Sequence, residues 1–146
     1  MANPNIPQGT LNRIRSNITI PGNTALNVTP AYMDKSFVTV TFDGEFDNLI
    51  PTATGGVTSP EPYVMATVSF GLLRTQALAN AWQSQVKALS DLGNVSIFPD
   101  TTAYAEIDLV NCVVSHIDPG PFDGTNPSVK VTLRGIYYVN NDLWNI

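Results

Sequence analysis

The sequence predicts a mainly β domain over residues 1–146. The expected form is a β-sandwich or partly closed barrel of about six to seven strands with one flanking α-helix at about 75–90. Two observations carry this. Apolar and polar residues alternate in several separate runs, the period-two mark of strands with one buried face. At Leu78, Trp82, Val86 and Leu89 alone the spacing lengthens to that of a helix. A third observation bears on function. From about 43 to 63 neither period holds, and a loop of that length is uncommon in a compact domain unless it is functional or disordered.

Taken in order, residues 1–10 read as a flexible arm punctuated by Pro and Gly. Leu11–Ile20 reads as a strand with Ile14, Ile18 and Ile20 apolar, closed by Pro21-Gly22, and Ala25–Tyr32 as a short strand or extended connector. Ser36–Phe42 is a strand with Val38, Val40 and Phe42 on one face and Phe37, Thr39 and Thr41 on the other. Val64–Leu73 turns Val64, Ala66, Val68, Phe70 and Leu72 to the core and Thr67, Ser69 and Gly71 away from it. Thr75 suits the helix N-cap and Gly93 its stop. Asn94–Phe98 is a short strand. Tyr104–His116 places Ala105, Ile107, Leu109 and Val113 together against Glu106, Asp108 and Val110. After the turn HIDPGPFDGTNP, Val129–Val139 alternates again, with Lys130, Thr132 and Arg134 outward.

Composition narrows the function classes. Only 13% of residues are charged against 43% apolar, a sparse surface that suits a subunit covered by copies of itself. The net charge of −5 argues against binding nucleic acid through its phosphates. The charge is segregated: residues 1–33 hold Arg13 and Arg15 and no acid, whereas 43–62 hold Asp43, Glu45, Asp47 and Glu61 and no base. No run approaches the ~18–20 apolar residues of a membrane helix, so no membrane insertion is expected, and the N-terminus lacks the pattern of a secretory signal.

Chemistry has little to work with. One histidine, His116, and one cysteine, Cys112, cannot build a triad or a zinc site, so no catalytic, cofactor-binding or metal residue is expected and no enzyme activity. Asp43, Glu45 and Asp47 lack the fixed Gly and closing Glu of a calcium loop. Gly55-Gly56 is followed by neither Lys nor a helix start, so it is no phosphate cradle. Cys112, within LVNCVV, reads as a small buried hydrophobe.

Three phrases, NIPQGTLNRIR, IPTATGGVTSPEPYVMATVSFGLLRTQALA and GIYYVNNDLW, together with the order of elements, resemble the major tail tube protein of contractile-tailed bacteriophages. That family is similar in fold to the type VI secretion tube protein. The resemblance implies a structural virion protein whose hexameric rings stack helically into a hollow tail tube, assembled in the host cytoplasm and surrounded by the contractile sheath. It implies as partners further copies of the chain, the sheath, the tape measure protein, and the terminator and baseplate proteins, with DNA passing down the lumen at ejection without specific binding. A tube of a type VI-like or other contractile injection system is the alternative, and a small-ligand β-barrel a remote one.

Two sets of residues follow as expectations. The arm's Arg13 and Arg15 and the loop's Asp43, Glu45, Phe46, Asp47, Leu49 and Ile50 are candidates for contacts between rings, because an open filament needs two different complementary patches. The loop's apolar residues are too many to leave in water without a partner. Thr39, Thr41, Thr67 and Ser69 are candidates for the lumen or a seam between subunits, where hydroxyls would offer DNA no fixed positive charge.

Overall fold

The computed structural model describes residues 4–145; the first three residues of the expected 1–10 arm lie outside that range. The elements are β1 (Asn17–Thr19), β2 (Met33–Asp43), β3 (Asp47–Pro51), β4 (Gly56–Pro60), β5 (Tyr63–Leu73), α1 (Ala77–Ala88), β6 (Asp91–Phe98), β7 (Ile107–Asp118) and β8 (Ser128–Tyr138), with short 3-10 turns between and after them. Six strands form one antiparallel sheet in the order β1-β6-β7-β8-β5-β2, curled into a half-barrel, and β3 pairs only with β4.

The centre of the sheet is its most regular part. β5 and β8 run in unbroken register from Tyr63 opposite Tyr138 to Leu73 opposite Ser128. Their alternation puts Ala66, Val68, Phe70 and Leu72 with Val129, Val131 and Leu133 on the concave side, all buried. Helix α1 covers that side with Leu78, Ala79 and the fully buried Trp82, whose ring meets Phe70 edge-on at 5.3 Å. Val86 is half-buried beside them.

The helix ends differ from expectation. Gln76, not Thr75, is the N-cap, and its side chain makes no capping bond. The helix ends at Ala88, and Leu89 follows in extended backbone, 62% exposed, so the apolar stripe is one residue shorter than its spacing implied. Gly93 lies inside β6, at an irregularity opposite Cys112 where its φ of +75° is needed. That strand begins at Asp91, earlier than the apolar pattern suggested.

Local backbone chemistry shifts three further expectations. Only Asn17–Thr19 of the 11–20 run is strand. Ahead of it Asn12 accepts from the N–H groups of Ile14 and Arg15, forming a turn that leaves Ile14 77% exposed. In β7, Asn111 adopts φ +53°, a conformation Asn tolerates, and the resulting bulge advances the phase. Leu109, Cys112 and Val114 therefore point inward while Val113 turns out, and Tyr104 and Ala105 precede the strand. In β2, Phe37 at φ +53° sits in a bulge and packs on the core instead of sharing the threonine face.

Candidate assembly interface

The stretch expected to be an irregular loop is a two-stranded hairpin. Asp47 opposes Pro60, Leu49 opposes Thr58 and Ile50 opposes Val57. The turn closes through the Thr52 N–H to the Gly55 carbonyl, and the Thr52 hydroxyl accepts from the Gly55 N–H. Leu49, Ile50 and Val57 are all exposed, Leu49 at 68%. A two-stranded hairpin on its own is at best marginally stable in water, and apolar groups exposed on both faces make this one a candidate for contact with another surface.

The base of the hairpin is fixed to the half-barrel. Asn140, at φ +51°, donates through Nδ2 to the carbonyls of both Phe46 and Glu61 at 2.8 Å, tying the two chain ends together. The Glu61 N–H also reaches the Phe46 carbonyl at 2.9 Å, and the Phe46 ring meets Phe42 edge-on at 5.6 Å. Asp47 accepts from the Ser59 N–H at 3.1 Å. Glu45 is exposed beside them. Nothing in the sequence pattern singled out Asn140; its one cue is the Asn-Asn pair after β8, since Asn is the residue that most readily adopts this backbone.

Thr39, Thr41, Thr67 and Ser69 come together on the sheet face turned away from the core. Thr39 pairs with Ser69 and Thr41 with Thr67, and β8 adds Thr132 and Arg134 in the same two rows. Asp43 belongs here and not to the hairpin. As the last residue of β2 it accepts from the Thr67 hydroxyl at 2.7 Å and from Arg134 Nη2 at 3.0 Å. The result is a half-exposed hydroxyl face on which Arg134 is held by a carboxylate, with Lys130 one row beyond Thr132.

Arg13 and Arg15 are not in contact with the acids of the hairpin among the described residues. Arg15 donates to the Pro99 carbonyl at 2.6 Å, and the Asn12 N–H reaches the Asp100 carbonyl at 2.9 Å, so the arm is anchored where β6 ends. That is the hairpin's end of the sheet. Ile97 pairs with Ile107, Val110 with Ile136 and Tyr138 with Tyr63, the residue at which β5 leaves the hairpin.

Between its edge strands the half-barrel stands open. No pairing joins the edge strands β1 and β2, and between β2 and the segment 97–107 lies a cavity of about 290 Å³ lined by Phe37, Val38, Val40, Ile97, Tyr104 and Ile107, with Arg13 and Asp100 at its rim. The groove continues past Phe42, Phe46 and Tyr137, whose ring lies 4.7 Å from that of Phe42.

The opposite end of the sheet carries a tightly held loop, residues 119–127. Arg74 donates to the carbonyls of Pro119 at 2.7 Å, Ser128 at 3.2 Å and Pro121 at 3.1 Å, and to that of Asn126, while lying 5.0 Å from the centre of the Phe122 ring. The N–H of Thr125, then its hydroxyl, hold the Asp123 carboxyl below the usual carboxylate range. Phe122 itself is 76% exposed. No group of three or more His, Cys, Asp or Glu residues arranged for a metal occurs among the described residues, and His116 is exposed on β7 opposite Thr132.

No family model matches the chain, and no match is found among curated proteins. Among solved structures the fold is similar to a chain in the virion of a native gene transfer agent particle, with 10% identity, 87% of this chain and 95% of that one covered, and a TM-score of 0.54. It is equally similar to a chain in the tail of an empty gene transfer agent particle solved with helical refinement and C6 symmetry, with 11% identity, 87% and 96% covered, and a TM-score of 0.55. At such identity the likeness is one of fold.

Proposed function

We propose that this chain is the structural subunit of a phage-type tail tube: six copies close a ring, rings stack into a hollow tube, and DNA passes along the lumen. The observation that carries the reading is the fold shared, over most of both chains, with a component of a gene transfer agent tail solved with C6 symmetry. The uncovered β3–β4 hairpin supports it, because apolar groups exposed on both its faces suit contact with another surface. The hydroxyl face of Thr39, Thr41, Thr67 and Ser69 suits a conduit wall. On that face Arg134 is paired with Asp43, and the other cation, Lys130, lies one row beyond Thr132 on β8 opposite Asp118 of β7, so the hydroxyl rows themselves carry no unpaired positive charge. The chain is then one domain with no catalytic role, located in the virion tail, with sheath, tape measure, terminator and baseplate proteins as its neighbours.

In this reading the hairpin, through Leu49 and Ile50, packs on a copy in the next ring. Arg13, Arg15, Glu45 and Asp47 leave the same end of the molecule, so pairing between arm and hairpin acids links side-by-side copies and sets their register. The test is deletion of residues 48–59, which spares Phe46, Glu61 and the Asn140 clamp. The shortened subunit should fold and give rings or monomers, whereas the intact chain gives tubes by electron microscopy. Normal tubes from the deletion variant would place stacking elsewhere, and an intact chain that stays monomeric would end the tube reading.

A further inference from the structure

We infer that His116 gives the proposed conduit wall an acid-dependent grip on nucleic-acid phosphate, an inference that deepens the tube reading above and rests on it. His116 is the chain's one histidine, and it is exposed. Register places it in a single row with three hydroxyls: His116 opposes Thr132, Thr132 opposes Ser69, and Ser69 opposes Thr39. Residues directly opposite one another in an antiparallel sheet share a face, so the imidazole belongs to the hydroxyl face and not to the core.

The rows on either side hold charges of both signs. Toward the hairpin, Arg134 is held by Asp43 at 3.0 Å, and Val113 and Asp91 continue that row across β7 and β6. On the other side Lys130 stands opposite Asp118, and the Asp34 carboxylate fills the space over Gly71, which opposes Lys130 from β5. Lys87, in the last turn of α1, borders the cleft beside His116. The histidine's own row has no carboxylate and no fixed charge. Imidazole is the side chain whose charge changes between about pH 5 and 8. Above that window the row offers phosphate only neutral hydroxyls. Below it, an imidazolium donates from the same line as three hydroxyls, and charge-assisted hydrogen bonds to phosphate are the stronger kind. In a ring of copies every subunit contributes the same cation at one height along the conduit.

The test compares DNA passage through tubes of the intact chain, of His116→Gln and of His116→Lys, in low salt at about pH 5.5 and about pH 8. The intact chain should pass DNA at least about twofold more slowly at the lower pH, the scale of one exposed charge pair. His116→Gln should be fast at both values and His116→Lys slow at both, and high salt should remove the differences. A pH response that survives in His116→Gln, or fast passage in His116→Lys, would overturn the inference. So would failure of either variant to assemble, since it would put the side chain in a seam between subunits. Thr39→Arg with Thr67→Arg separates the inference from the reading beneath it. Slow passage there with fast passage in His116→Lys removes only the histidine's role, whereas fast passage in both takes the hydroxyl face out of the conduit.

Discussion

Single side chains in the core set limits that can be read chemically. Cys112 is buried where β7 bulges, and its sulfur fills the space a Cβ at Gly135 would need, which is why β8 has glycine at that position. Burial pushes the thiol from about 9.0 up to about 12. The folded state therefore keeps a proton that the unfolded chain releases sooner. The resulting stability is complete below about pH 9 and is lost as pH rises toward 12. Between those values the denaturant midpoint of the intact protein should fall faster than that of Cys112→Ala, and a thiol reagent at pH 8 should react only after unfolding. Parallel pH curves for the two proteins would place the thiol in water. Gly71 obeys the same logic: the Asp34 carboxylate lies where its Cβ would be and accepts from the Ser128 hydroxyl at 2.6 Å.

At the level of elements, legibility tracked burial. β5, β8 and α1 were readable because each has a buried side, and a buried side imposes a period on the sequence. The β3–β4 hairpin was not. With no core beneath it, adjacent Leu49 and Ile50 occupy opposite faces and both stay apolar, so alternation never appears. Bulges at Phe37, Gly93 and Asn111 were hidden for a different reason, since each shifts a strand's phase without altering its composition. The Asn140 clamp and the Arg74 clamp join residues distant in sequence to carbonyls, and a carbonyl carries no sequence signature. Asn140→Ala removes both hydrogen bonds to the hairpin base and places a residue in left-handed backbone. It should cost about 1–3 kcal/mol and raise amide exchange and protease cleavage across 44–62 before the sheet responds. Uniform loss of protection over the whole chain would show that the hairpin is not a separate unit.

For the whole molecule, the candidate site divided along similar lines. The hydroxyls at 39, 41, 67 and 69 were legible as a polar strand face, and they adjoin one another across β2 and β5. The segregation of acids from Arg13 and Arg15 was visible too, but its geometry was not, because only the register reveals that both segments leave one end of the sheet. If the hydroxyl face lines the conduit, Thr39→Arg with Thr67→Arg should leave tubes intact by microscopy while slowing passage of DNA, most strongly in low salt where phosphate contacts are least screened. Unchanged DNA passage at every salt concentration would assign that face to a seam between subunits instead.

The uncovered hairpin and the open seam of the half-barrel have a thermodynamic consequence. If, as proposed, a subunit buries these surfaces only against its neighbours, it obtains part of its stability by mass action, and protein concentration acts on it as a ligand would. Each tenfold lowering of the free-subunit concentration at which assembly sets in corresponds to about 1.4 kcal/mol more stabilisation of the assembled state. Isolated copies would melt early and at a concentration-dependent temperature, and the same chain in a finished tube would be bound into a lattice far more durable than any one of its parts.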